Sequence, residues 1–286
     1  MHMQLRKLSM MSICIPICRA MGTVIQSMEG NIAKKLQYLP ERIKGMHVLR
    51  IDDTVVVDSG LPSDTFNTAY GGKVGDKTAI DVMNYYQTKN YPMAWWIGPD
   101  TAKYPKHVSS LESAGFVHDE FDAGMFCRLD QMNAQDYQLP TDLKINFCTE
   151  PKHFNAFGNV LASIFDPVDE HVKQFYQMVS NVPAKDRQDI KLFVGYVDGR
   201  AVSTSALFLT DVAGVYDIST RPEMQRRGYG AAMTYTALKY AKDQGMQHAV
   251  LQASPDGLNI YKRFGFKEVC DFNVWSNKNT IRVNSV

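Results

Sequence analysis

From Lys144 onward, hydrophobic and polar positions fall into a regular succession of strand-like and helix-like stretches. Lys144 to Thr149 alternates with period two, while Pro151 to Phe165 and Val168 to Val182 space apolar residues three and four apart. The first pattern predicts a strand and the other two predict amphipathic helices. Lys191 to Val197 and Arg200 to Leu209 are predicted strands about Asp198-Gly199, a tight-hairpin signal. Gly214 to Thr220 is a further strand, Gly230 to Gln244 a helix stopped by Gly245, and His248 to Ala253 a short buried strand. Pro255 to Arg263 predicts a short helix and Lys267 to Trp275 a last strand, giving the order β-α-α-β-β-β-α-β-α-β.

The pattern upstream is weaker. Gly45 to Ile51 and Thr54 to Asp58 are predicted strands about Asp52-Asp53, followed by a helix over Lys77 to Thr88 and a strand over Pro92 to Ile97. A helix over His107 to Ala114 and a strand over Gly124 to Leu129 complete this half. Leu111-Glu-Ser-Ala-Gly115-Phe116 echoes Tyr261-Lys-Arg-Phe-Gly265-Phe266, each between a helix and a strand. Asp130 to Asp142 is polar, contains Pro140 and lacks periodicity, so it is expected to link two halves. At the start, Arg6 and Lys7 precede a short apolar run from Leu8 to Ile17, broken by Pro16. That run is too short to span a bilayer, and Cys18-Arg19-Ala20 is a poor cleavage site. Residues 1–20 are therefore expected to be a flexible leader, with Met21 or Met28 as alternative starts of the folded protein.

Composition narrows the partners. The 286 residues are 45% hydrophobic and 21% charged, enough to bury a core. Lys and Arg number 31 against 30 Asp and Glu, a balance that disfavours nucleic acid as the partner. The five cysteines are scattered, and Cys14 with Cys18 lacks a second pair to complete four ligands, so neither a metal site nor a disulfide framework is expected. Reduced thiols and the lack of a membrane span point to a cytoplasmic protein; a homodimer is compatible with this reading.

The chemistry concentrates in Val215 to Ala232, where Gln225-Arg226-Arg227-Gly228-Tyr229-Gly230 joins the end of a strand to the start of a helix. Gly228 and Gly230 permit close approach to the backbone, and the unpaired amides at Tyr229, Gly230 and Ala231 with the helix dipole favour an anion such as pyrophosphate. Arg226 and Arg227 extend cationic reach to a further phosphate. Gly71 to Thr78 superficially suggests an ATP loop, but Asp76 stands where that motif needs glycine. A plain strand-to-helix turn is the competing reading of Gln225–Gly230.

This stretch resembles the GNAT superfamily of acyl-CoA N-acyltransferases. The signature Q/R-x-x-G-x-G/A is met by Gln225, Gly228 and Gly230, and the family's short helix ending in Tyr and Gly-Phe by Tyr261, Gly265 and Phe266. The resemblance covers about Lys144 to Trp275 and implies an α/β (α+β) fold with a mixed central sheet flanked by helices. It also implies that the chain is a duplicated, tandem-type protein: residues 143–286 the acetyltransferase domain, 130–142 the linker, and 21–129 a degenerate copy. That copy lacks the phosphate loop, and Leu111 stands where the echo would put a tyrosine.

By the same resemblance acetyl-CoA is the donor. Ile218, Ser219 and Thr220 are expected to pair with its pantetheine arm, and Asn259 to hydrogen-bond it. The acceptor would be a primary amine on a small molecule, amino acid or peptide. Such an amine, with a pKa of ~10.4, costs about 4–5 kcal/mol to neutralise at pH 7. The departing thiolate, at about 8.5, can take a proton from a phenol at about 10, which assigns the acid role to Tyr261. The base is open: Asp217 is named for it, with Glu170 and His171 on the second helix and a water chain as alternatives. A CoA-binding regulatory module without turnover is the competing function.

Overall fold

The computed structural model describes residues 22–281; the expected leader and the Cys14/Cys18 pair lie outside the described residues. Helix α1 spans residues 22–38. It is followed by β1 (His47–Ile51), β2 (Thr54–Asp58), β3 (Thr68–Tyr70), α2 (Asp76–Gln87), β4 (Ala94–Ile97), α3 (Pro99–Ala102), α4 (His107–Ser113) and β5 (Val117–Arg128). The second half contributes β6 (Lys144–Phe147), α5 (Pro151–Ala162), α6 (Glu170–Ser180), β7 (Ile190–Val197), β8 (Arg200–Leu209) and β9 (Ala213–Thr220). It ends with α7 (Tyr229–Asp243), β10 (His248–Ala253), α8 (Leu258–Arg263) and β11 (Lys267–Ser276).

The eleven strands among the described residues form one mixed sheet in the order β1-β2-β3-β4-β11-β5-β10-β9-β8-β7-β6. The two halves of the chain interleave at its centre. β5, from the first half, lies between β10 and β11, and β11, from the second, lies between β4 and β5. The expected link at 130–142 thus divides the chain but not the sheet. Nor is that segment loose. Tyr137 packs against Tyr235 and Phe264 with ring centroids 4.9 and 5.3 Å apart, and Asp142 accepts a 2.6 Å hydrogen bond from the Tyr229 hydroxyl.

Local sequence explains most elements. Glu150 and His153 form a reciprocal cap at the start of α5, and Asp169 caps α6 by accepting from the His171 amide at 2.8 Å. The two echo segments close their helices alike. Phe116 donates its amide to the Leu111 carbonyl at 3.0 Å, and Phe266 donates to the Tyr261 carbonyl at 3.3 Å.

Sheet alternation sorts the helices into two layers. Val250 packs against Met28 and Ile32 of α1, while its neighbours Ala249 and Leu251 pack against Ala237 and Leu238 of α7. On the second half, α5 and α6 cover β7 and β8 through Phe157, Phe175 and Val194, alongside Tyr38 at the end of α1. On the first half, α2 and α4 pack on Trp95 and Ile97, opposite the side that Trp96 turns to α1.

Helix α1, strand β3 and the short helix α3 are additions to the elements expected from sequence, and β5 begins seven residues before the expected Gly124. α1 is bound firmly. The buried Asn31 donates through Nδ2 to the carbonyls of Phe208 (3.0 Å) and Val212 (3.2 Å) and to Thr210 Oγ1 (2.8 Å). Its Oδ1 accepts from the Tyr216 hydroxyl at 2.7 Å. Among the described residues no helix is long and apolar enough to cross a membrane.

Candidate acyl-transfer site

The parallel strands β9 and β10 are paired at only two positions, Ala249 with Ala213 and Val250 with Gly214. β9 then continues to Thr220 without a ladder to β10, so the sheet opens between them. The cause lies partly in a bulge. Asp217 adopts a left-handed φ of 51°, and the β8 register shifts between Thr204 and Ala206. Thr204 Oγ1 fixes the bulge by donating to the Asp217 carbonyl at 2.8 Å. The bulge sends two consecutive side chains, Tyr216 and Asp217, to the α1 and α6 layer, while Ile218 packs with the α7 cluster. In the first half the corresponding parallel pair is closed, since every β3 residue from Thr68 to Tyr70 has a partner on β4.

The Gln225–Gly230 loop stands at the end of β9. Pro222–Met224 forms a single 3-10 turn, Gln225 is extended, Arg226 has φ of 62°, and Gly228 caps α7 with φ of 84°. No side chain caps this helix start, so the amides of its first turn are left for a ligand. A side chain at Gly228 would clear its nearest neighbour, Pro140 Cγ, by 3.7 Å, so its backbone angle is what demands glycine. Gln225, Arg226 and Arg227 are exposed around the loop, and Gln225 Nε2 reaches back to the Thr220 carbonyl at 3.4 Å. The side chains of Tyr229 and Ala231 are buried, so these two present only backbone amides. Ser219 is buried, with Ile218 and Thr220 half-buried beside the opening, and Asn259 is exposed on α8.

Tyr261 and Asp217 share one cavity of about 180 Å³ at the mouth of the split, walled also by Lys35 of α1, Trp96 of β4 and Gln252 of β10. Gly257 makes room for the Tyr261 ring: a Cβ there would lie 2.9 Å from Cε2. Burial, and then the charge of Asp122, push the Tyr261 phenol up to about 12, which keeps its proton in place. A second hollow adjoins this one through Lys35, Leu36 and Asp217 and runs toward Phe66 and Phe175.

Both Asp217 oxygens are engaged. Tyr176 donates to Oδ2 at 2.9 Å, and the Lys35 ammonium lies 3.8 Å from Oδ1. The Asp217 side chain lines the cavity with neither oxygen free of a partner. Glu170 lies at the surface in an ion pair with Lys173, and neither it nor His171 lines the cavity. Sequence reasoning missed Asp122. It sits on β5, only 5% exposed, and its Oδ1 has no hydrogen-bond partner. Burial, and then the charge of Glu120, push it up to about 7. Its signal was hidden because His118 to Asp122 has the charge density of a solvent loop, and the predicted strand begins only at Gly124.

A mixed sheet split between two parallel strands, with an uncapped helix start at its mouth, is the fold of the GNAT acyltransferases. Residues 164–278 match the family model described as an acetyltransferase (GNAT) domain. Solved structures extend the likeness of fold to both halves. A GCN5-related N-acetyltransferase from Kribbella flavida is 14% identical, with 87% of this chain and 95% of that one covered and a TM-score of 0.62. Another from Sphaerobacter thermophilus is 15% identical over 82% of each chain, with a TM-score of 0.57. A tandem GNAT protein from the clavulanic acid biosynthesis pathway is 11% identical over 82% of this chain and 83% of that one, with a TM-score of 0.55. No curated protein sequence matches the chain.

Proposed function

We propose that the protein is an acyl-CoA-dependent N-acyltransferase that moves an acetyl group from acetyl-CoA to a primary amine of a small molecule, amino acid or peptide. The opening between β9 and β10, beside the uncapped start of α7, carries this reading. The first-turn amides at Tyr229, Gly230 and Ala231 suit the pyrophosphate, with Gln225, Arg226 and Arg227 around it. The unpaired edge at Ile218, Ser219 and Thr220 suits the amide-bearing pantetheine arm, which would add to β9 as a strand does. Asn259 is exposed for a polar contact with the same arm. We assign residues 21–129 as a GNAT-like half without a donor site, since its β3 and β4 stay paired. The domain that binds acetyl-CoA is assigned to 143–286, and the setting is taken to be the cytoplasm.

When bound, acetyl-CoA supplies an acyl group already activated as a thioester. The protein's part is to hold it, receive the amine and manage protons. Tyr261 keeps its proton and offers it to the sulfur as the C–S bond breaks and the C–N bond forms. Asp217, fixed by Tyr176 and Lys35, shapes the amine side of the cavity.

Two measurements test this. Acetyl-CoA and CoA should each raise the melting temperature at millimolar concentration, and a panel of primary amines should release free thiol from acetyl-CoA. Stabilisation without thiol release from any amine would leave a CoA-binding module. No stabilisation by either ligand would remove the donor site altogether.

A further inference from the structure

The cavity at the split is walled by β9, β10 and α8 of the second half and by α1 and β4 of the first; behind that lining, close enough for its charge to act on Tyr261, lies a first-half carboxylate on β5. β10 ends at Ala253, paired with Ala123, and β5 runs on past that last rung, with Asp122 as its next residue. There the chain leaving β10 turns into α8, which carries Tyr261. Gln252 opposes Gly124, so Asp122, two residues along β5, lies on the same face of the sheet as Gln252. That face is the one Val250 and Phe272 turn to α1.

The polar groups gathered here lack partners within the protein. Asp122 Oδ1 is buried without a hydrogen bond, and both side-chain atoms of Gln252 are buried and unpaired as well. A buried orphan of this kind costs about 1–3 kcal/mol, and here three such atoms lie on two residues of one sheet face. They are what a site holds ready for a polar ligand. Asp217, across the split, already has both oxygens engaged. Of these two, Asp122 is the carboxylate with a free acceptor.

We infer that Asp122, delivered by the first half of the chain, is the base that takes the proton of the acceptor amine, with the Gln252 amide orienting that amine beside Tyr261. The inference rests on the acyl-transfer reading above. The ammonium form of the acceptor gives one proton to Asp122, and the neutral amine attacks the thioester carbonyl. The C–N bond forms and the C–S bond breaks. The sulfur takes the Tyr261 proton and leaves as a thiol. The second proton of the attacking nitrogen returns to Tyr261, and Asp122 releases its own to solvent. The charged and titratable groups around Asp122 are Glu120 on its own strand, Tyr261 on α8, and Lys35 and Asp217 lining the cavity from α1 and β9. Through this carboxylate the half without a donor site becomes a working part of the active centre.

The test compares the full-length wild type with Asp122→Asn, using thiol release from acetyl-CoA and the best amine of the panel between pH 5.5 and 9. The wild type should gain activity as pH rises through about 7. Asp122→Asn should lose turnover by 30-fold or more, lose that rise, and keep the wild-type shift in melting temperature with acetyl-CoA. Asp217→Asn should keep the rise whatever it does to KM. Turnover of Asp122→Asn within threefold of wild type, or an unchanged pH profile, overturns the inference while the acyl-transfer reading stands. A wild type that binds acetyl-CoA yet releases no thiol overturns both.

Discussion

At the scale of single residues, Asp122 links activity to stability. Its carboxyl is held at about 7 in the folded chain against an ordinary value of 3.8. A group raised in this way supports the fold fully below 3.8, and that support is lost as pH climbs through about 7. Above neutrality the folded protein carries a buried charge that the unfolded chain would keep in water. Asp122→Asn should therefore melt higher than wild type by about 5 °C at pH 8.5, with the margin shrinking toward pH 4. Calorimetry at the two pH values checks this, and equal midpoints at pH 8.5 would count against the burial argument. Tyr261 depends on a neighbour of a different kind. The Cβ that Gly257→Ala adds would press on Cε2 of its ring at 2.9 Å. That variant should lower turnover about tenfold or more while leaving acetyl-CoA affinity within about threefold, as steady-state kinetics and titration calorimetry would register.

At the scale of elements, the start of α7 is the most exacting piece. Gly228→Ala would place an L side chain at φ of 84°, costing about 1–2 kcal/mol, and would disturb the amides expected to hold pyrophosphate. Its acetyl-CoA Kd should rise about tenfold with the fold intact by circular dichroism; unchanged affinity would detach the loop from donor binding. This element was legible because glycines, arginines and a strand-to-helix transition are all local signals. The same holds for β7 to β11, whose bounds fall within a residue or two of the periodicity in sequence. α1 was legible in principle, since Ile25, Met28, Ile32, Leu36 and Leu39 recur at helical spacing. The apolar run just before it drew the reading toward a leader instead. β3 is three residues long and leaves almost no pattern to detect. The significance of Asp122 could not be read locally, because it depends on the register of β5 against β10 across more than a hundred residues of chain.

At the scale of the whole molecule, the interleaved strands make the halves interdependent. Without β5, the second half would expose one edge of β10 and one of β11, whose pairing with it runs from Lys267 to Ser276. Residues 130–286 expressed alone should therefore aggregate or unfold without a cooperative transition, and acetyl-CoA should not rescue them. Supplying residues 1–129 by co-expression should restore a soluble complex that acetyl-CoA stabilises. A monomeric 130–286 fragment that melts cooperatively and responds to acetyl-CoA like the full chain would show that the exchange is dispensable.

The position of β11 between β4 and β5 also bears on how the protein is made. Of the eleven strands it is synthesised last, yet it fills a gap between two strands that leave the ribosome long before it. During translation the first half must wait with facing edges of β4 and β5 unpaired, each able to capture a strand from another nascent chain. Slow elongation through the second half lengthens that exposure. The yield of native protein should thus depend on translation speed and on chaperones that shield strand edges more than the stability of the finished molecule would suggest.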